Sequence, residues 1–269
     1  PELAAGKGVA QPKEHYWDVL THQFETVAAA EALTADSMPM DNAREYLRFP
    51  ATHRPSHDAV RGYFRGRLGG LSRAGVLKLA ALLHDAGKPA TKSVQPDGRT
   101  RFFGHSELGA QMVEAALTRL RFSGREVRAV SAMVLHHLRP TQISGDRLPT
   151  ARSIYRFFRD LDEIAIDTLV LSLADHAAAR GPALDADDWI SHVAMTDFVL
   201  EQRFAEAARA GPRRIVTGDD LIESFGLHPG PVVGALLREI DEARAEGTVE
   251  TREQALALAE RTLAGLNAA

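Results

Sequence analysis

The sequence predicts an all-α protein with one small β-hairpin and a separate helical unit at its C-terminal end. Two observations carry this. Apolar residues recur at helical spacing in segment after segment, and one stretch alone, "TKSVQPDGRTRFF", sets two short strand-like runs around a Pro-Asp-Gly turn.

In chain order, Val19 to Leu33 ("VLTHQFETVAAAEAL") reads as the first helix and Ala74 to Leu83 ("AGVLKLAALL") as the second. The hairpin around Pro96-Asp97-Gly98 follows. Leu108 to Leu120, Val127 to Leu138, Ser153 to Phe158, Ile164 to Ala179 and Trp189 to Ala208 continue the helical pattern. Asp41 to Lys78 stands apart as a loop-rich, arginine-rich insert, with Arg44, Arg48, Arg54, Arg61, Arg65, Arg67, Arg73 and Lys78 against Asp41, Glu45 and Asp58. Gly211-Pro212 reads as a linker, which divides the chain into a main domain, 1–210, and a helical tail, 211–269. Within the tail, "GLHPGPVVGALLREI" starts a helix just after Gly-Pro, as N-terminal helix signals require.

The 269 residues suffice for one large domain or two smaller ones, and 45% hydrophobic with 25% charged residues is an ordinary globular composition. A net charge of -4 gives no global attraction to nucleic acid, so any such contact must come from a local patch. The chain has no cysteine, which excludes disulfides, zinc-thiolate sites, iron–sulfur clusters and thiol catalysis, and leaves His, Asp and Glu as metal ligands. No window has the run of apolar residues a membrane span needs, and the start "PELAAGKGVAQPKEHYW" lacks a signal-peptide core. A cytoplasmic protein without membrane contact is expected. The first residue, Pro rather than Met, suggests a trimmed product or a piece of a longer chain.

The chemistry-bearing residues cluster at helix ends. His15, Asp18 and His22 share one face of the first helix, at i, i+3 and i+7. His84 and Asp85 close the second helix, and His136 and His137 close another apolar one. Asp175 interrupts "TLVLSLADHAAAR", where an uncompensated carboxylate would be costly and a cation is one compensator. Singly, a histidine at a helix C-terminus is usually a dipole or carbonyl partner, and a lone Asp175 an inter-helix acceptor. His53, His57, His192 and His228 lie in loops or on mixed faces and read as ordinary surface or packing residues. What sets the others apart is their combined order: His, His-Asp, His, His, Asp.

That order resembles the HD-domain metal-dependent phosphohydrolases, whose motif is a first His, an adjacent His-Asp pair and a distant Asp around one divalent ion. The resemblance implies an HD helical bundle and carries the ligand roles onto His22, His84, Asp85 and Asp175. Two-metal members add two histidines, here His105 in "FFGHSELG" and His136 in "MVLHHLRP", with Asp85 bridging the ions and His137 the less expected of the adjacent pair. "QPKEHYWDVLTHQFETV", "HDAGKPAT", "GHSELGA", "HHLRP", "LADHAAARGP" and the tail from "GDDLIESFGLHPG" onward are similar to the HD and C-terminal RNA-contacting region of bacterial tRNA nucleotidyltransferases of the CCA-adding and poly(A) polymerase family. The similarity runs from about Gly8 to Leu258. Neither the Gly-rich strand-turn motif nor the paired catalytic carboxylates of that family's head are found, so this chain is not expected to add nucleotides.

The implied chemistry is metal-dependent hydrolysis of a phosphomonoester or phosphodiester on a nucleotide or RNA end. One or two divalent ions are expected, and Mn, Fe, Co, Ni, Mg or Zn all suit His and carboxylate ligands. Asp85 and Lys88 would be the catalytic residues. Lys88 one turn on, with Arg139 and Arg180, would hold phosphate oxygens. Asp18 and His137 would support the ligands by hydrogen bonds, and His15 would stabilise the helix start or the pocket rim. The alternative is a tRNA-binding C-terminal portion of a CCA-adding or poly(A) polymerase-type enzyme, with the arginine-rich insert and the tail gripping the backbone.

Overall fold

A computed structural model describes residues 1–35, 42–55, 58–144, 148–209 and 215–267. The proposed linker at Gly211-Pro212 lies outside them, as do Asp41 and His57. The helices are α1 (Val19–Thr34), α2 (Arg48–Thr52), α3 (Asp58–Arg65), α4 (Arg73–Leu83), α5 (Lys88–Thr91), α6 (His105–Arg119), α7 (Gly124–His136), α8 (Arg139–Ser144), α9 (Ala151–Leu161), α10 (Ala165–Arg180), α11 (Ala186–Arg209), α12 (Gly218–Phe225), α13 (Pro231–Ala245) and α14 (Arg252–Asn267). The fold is all-α, as the periodicity predicts, and an HD-like helical bundle, as the resemblance implies. Among the described residues no helix is long and apolar enough to cross a membrane.

Among the described residues two antiparallel hairpins interrupt the helices, where one was expected. The expected one pairs β3 (Ser93–Val94) with β4 (Thr100–Arg101). The other pairs β1 (Arg67–Leu68) with β2 (Leu71–Ser72) across Gly69-Gly70, and Gly69 sits at φ 66°, where a side chain is disfavoured. The Arg-rich segment expected to be loop-rich is, in its described part, built of α2, α3 and this hairpin. Its arginines hold the fold together. Arg44 pairs with Glu25 at 2.9 Å, Arg54 donates to the Ala35 carbonyl at 2.7 Å beyond the end of α1, and Arg73 pairs with the buried Asp167 at 2.8 Å. Burial pushes the Asp167 carboxyl up to about 6, against the pull of the Tyr63 hydroxyl and the Arg73 guanidinium.

The described residues form two compact units, Pro1–Arg147 with Leu161–Phe198, and Leu148–Asp160 with Val199–Ala269. In the first, α1 packs on α4 and α10, α4 on α7, and α7 on α6. Small residues let these helices approach closely: Ala29 and Ala30 of α1, Ala80 and Ala81 of α4, and Ala174, Ala177 and Ala178 of α10 are fully buried or nearly so. Leu77, Leu117, Met133, Leu169, Leu171 and Leu173 fill the core between them. The second unit has its own core of Val216, Leu221, Val233, Leu236, Ile240 and Val249. A reciprocal Thr217–Asp220 capping box starts α12, Gly226 in the left-handed region closes it, and Pro231 opens α13. In that unit Glu242 takes Arg152, Arg156 and Arg159 at 2.6–3.0 Å, and the Arg156 guanidinium with its neighbours overcomes burial to hold the carboxyl down at about 2.

Candidate metal centre

Five helices of the first unit converge. α1 brings His22 on the face that also buries Thr26, Ala29 and Leu33. α4 ends at Leu83, and the following turn presents His84 and Asp85, both fully buried. His105 opens α6, His137 follows α7, and Asp175 lies in the last turns of α10. Gly87 permits this closure: a Cβ there would stand 2.2 Å from the His105 carbonyl and 2.8 Å from the Gly109 amide, so the His-Asp turn can abut α6 only through glycine.

The donor atoms fall into two groups joined by one carboxylate. In the first, His22 Nε2 lies 3.2 Å from His84 Nε2 and 2.9 Å from Asp175 Oδ1. In the second, His105 Nε2 lies 3.3 Å from His137 Nε2. Asp85 Oδ2 faces the first group, 3.3 Å from His84 and 3.5 Å from His22. Asp85 Oδ1 faces the second, 3.6 Å from His105 and 3.9 Å from His137. Neither Asp85 oxygen takes part in a hydrogen bond of good geometry, although Lys88 Nζ lies 2.6 Å from Oδ2. Lys88 compensates the Oδ2 side. The Oδ1 side, facing His105 and His137, has no cation beside it among the described residues, and a buried carboxylate oxygen without a partner is costly.

The imidazoles are oriented for ligation. A carbonyl can only accept, so the Nδ1 atoms of His84, His105 and His137 donate to the carbonyls of Ala81, Phe102 and Val134 at 2.9, 2.8 and 2.7 Å. Their Nε2 atoms turn inward. Burial and the neighbouring His84 push His137 down to about 4, which leaves it neutral with a free lone pair. Burial also works to lower His84, but the Asp85 and Asp175 carboxylates overcome it and lift the imidazole to about 10. Burial works to raise Asp85 and Asp175, but His84 and His22, joined by Lys88 at Asp85, together outweigh it and hold both well below the usual carboxylate range. The donor set of imidazoles and carboxylates is that of a divalent-ion centre.

The structure brings His22, His84, Asp85, His105 and Asp175 together, and corrects two expectations. His137, not His136, stands beside Asp85 and His105. His136 lines the adjoining cavity, half-buried. Helix phase decides this: Val127, Val130 and Val134 form the buried stripe of α7, and His137 continues it. Asp18 does not support His22 through its carboxylate, because that group caps α1, accepting from Thr21 N at 2.8 Å and Gly8 N at 2.6 Å.

An open cavity of about 780 Å³ leads to the cluster. Lys88, Arg139 and Arg180 are among its lining residues. Sequence reasoning missed Gln11, whose Oε1 accepts from Lys88 Nζ at 2.7 Å; nothing in its context signals the role. His15 lies at the cavity wall, edge-on to His22 with ring centroids 5.2 Å apart. A third group, His176, Asp188 and His192, stands beyond Asp175 with its two imidazoles stacked 3.7 Å apart.

Comparisons with known proteins match both parts of the chain. The HD domain family matches residues 61–180, and tRNA nucleotidyltransferase domain 2 matches residues 213–259. The A-adding tRNA nucleotidyltransferase of Deinococcus radiodurans is 32% identical over 262 residues, which is 97% of this chain and 50% of that protein. The CC-adding tRNA nucleotidyltransferase of Thermus thermophilus is 36% identical over 182 residues, 67% of this chain and 38% of that protein. The chain thus spans half or less of the length of these relatives. The chain carries an HD domain followed by a tRNA nucleotidyltransferase domain 2, consistent with the HD and C-terminal region of tRNA nucleotidyltransferases.

Proposed function

We propose that the first unit is a divalent-metal-dependent phosphohydrolase acting on a phosphomonoester or phosphodiester at a nucleotide or RNA end. The observation that carries this reading is Asp85, a buried carboxylate whose two oxygens face two separate histidine groups. His22, His84 and Asp175 would hold one ion, His105 and His137 the other, with Asp85 between. Bound there, divalent ions supply a water of lowered pKa and charge on the phosphoryl oxygen. The protein's own part is orientation. The carbonyls of Ala81, Phe102 and Val134 fix three imidazoles, and Lys88 stands by Asp85 as a point cation for the phosphate. Arg139 and Arg180 on the cavity wall suit further phosphate oxygens. Assays with adenosine 2′,3′-cyclic monophosphate, nucleoside monophosphates and a generic phosphodiester, each with Mn, Co, Ni, Mg and Zn, test this. Hydrolysis of none with any ion sinks it.

A second reading has its own support. Similarity to the Deinococcus protein runs across 97% of the chain, through the C-terminal unit, which favours a tRNA-binding portion of a nucleotidyltransferase-type enzyme. Arg61 and Arg65, exposed one turn apart on α3, would then contact phosphates. Filter binding of tRNA at two salt concentrations tests this reading. An Arg61→Ala/Arg65→Ala variant with unchanged affinity and salt slope would remove α3 from any such interface.

A further inference from the structure

We propose that Phe103 is a stacking platform for the heterocyclic base of a ligand whose phosphate lies at the His-Asp cluster; the placement of the phosphate rests on the phosphohydrolase reading. The same cavity that reaches Asp85 and His105 is walled on its outer side by Phe103 and Leu135. Phe103 is 72% exposed, the highest value among the exposed large hydrophobic residues, and Leu135 is also exposed. Scattered apolar residues on a surface need no explanation. Two that line one cavity, together with Lys88, Arg139 and Arg180, give it apolar as well as cationic surface.

The backbone also places Phe103 close to the cluster. Phe103 lies between β4 and α6, two residues from Arg101 and two from His105. Next to it, Phe102 accepts the His105 Nδ1–H at its carbonyl, and its ring lies under Lys88 Nζ at 5.6 Å. Gly104, at φ 74°, turns the chain sharply into α6 just after Phe103. The turn that orients a candidate ligand thus also sets the aromatic ring. A cavity of about 780 Å³ is of the size that takes a whole nucleotide, far more than a phosphate or a phosphorylated sugar fills. Gln142 on the same wall offers an amide to a base edge.

Equilibrium titration of the full, metal-loaded chain, with an ion that turns over neither ligand, compares adenosine 5′-monophosphate with ribose 5-phosphate. The nucleotide should bind roughly tenfold or more tightly, the scale of one base stacked on an aromatic ring. Phe103→Ala should remove the preference and Phe103→Tyr restore it. Since the ring is mostly exposed, neither change should lower thermal stability. A trinucleotide, triadenylate, distinguishes the source of the base. Tighter binding than the mononucleotide with the same Phe103 dependence assigns an RNA end, and equal binding assigns a free nucleotide. Equal affinity for the nucleotide and the sugar phosphate, a preference that survives Phe103→Ala, or no binding of either overturns the proposal. Absence of turnover in metal-loaded protein, with the binding preference intact, would count against the hydrolase reading alone.

Discussion

The Nε2 atoms of His22 and His84, sixty-two residues apart in sequence, lie 3.2 Å apart with Asp175 Oδ1 within 3.5 Å of both. Three donors aimed at a common point, with Asp85 beside them, leave His84 to compensate two carboxylates by keeping a proton. Its folded pKa, lifted to about 10, lies above the 6.5 of an unperturbed imidazole. A raised pKa gives stability that is full below the unfolded value and lost as pH rises through the folded one. The metal-free protein should therefore lose stability as pH climbs from about 6.5 to about 10. A divalent ion takes over the proton's role, so binding near neutral pH should release on the order of one proton per first-group ion. Titration calorimetry in buffers of different ionisation enthalpy measures this; heats independent of buffer would show that no proton is displaced.

His137 and His136 separate cleanly by substitution. His137→Ala removes a buried Nε2 from beside Asp85 and should lower the number of tightly bound ions or weaken one of them by roughly 10–100-fold, the range for disturbing a ligand or its support. His136→Ala should leave metal content unchanged. Equal effects of the two would refute the assignment by helix phase.

Gly87→Ala tests how the His-Asp turn is placed. The added methyl would meet the His105 carbonyl at 2.2 Å, and backbone cannot yield as a side chain can. A cost of roughly 1–3 kcal/mol in urea denaturation is expected, the scale of overpacking, together with weaker metal binding as Asp85 and His105 are pushed apart. Full stability and unchanged affinity would show that the contact between Gly87 and α6 is not needed.

Glu242 governs the acid stability of the second unit. Its carboxyl, held at about 2 against an ordinary value of 4.5, stabilises the fold above the unfolded value and stops doing so as pH falls through about 2. The Arg partners are 31–48% exposed and so partly screened. Glu242→Gln should therefore cost on the order of 1–2 kcal/mol at neutral pH. The loss should shrink between pH 4.5 and 2. A variant whose acid unfolding profile matches wild type would deny the three-arginine clamp any role in stability.

Much of this was legible in the sequence because local patterns sufficed. The bounds of α1 and α4 follow from apolar spacing, and the β3–β4 hairpin from Pro96-Asp97-Gly98. Five of the six residues now grouped around the centre, His22, His84, Asp85, His105 and Asp175, follow from their order along the chain. His137 was equally legible, since it extends the Val127, Val130, Val134 stripe, but motif order favoured the first histidine of the pair. The β1–β2 hairpin was signalled by Gly69-Gly70 and overlooked amid the arginines. Gln11 and the roles of Arg44, Arg54 and Arg73 could not be read, because their partners are fixed only by tertiary packing.

The most direct test of the account is the rate at which metal-loaded protein hydrolyses adenosine 2′,3′-cyclic monophosphate, before and after Asp85→Asn. The wild type should turn over with at least one of Mn, Co or Ni and stop when chelated. Asp85→Asn, nearly isosteric, should fold and yet lose about a thousandfold or more in rate, on the order of 4 kcal/mol of barrier. An Asp85→Asn protein that hydrolyses the substrate at the wild-type rate would contradict a centre built on that carboxylate.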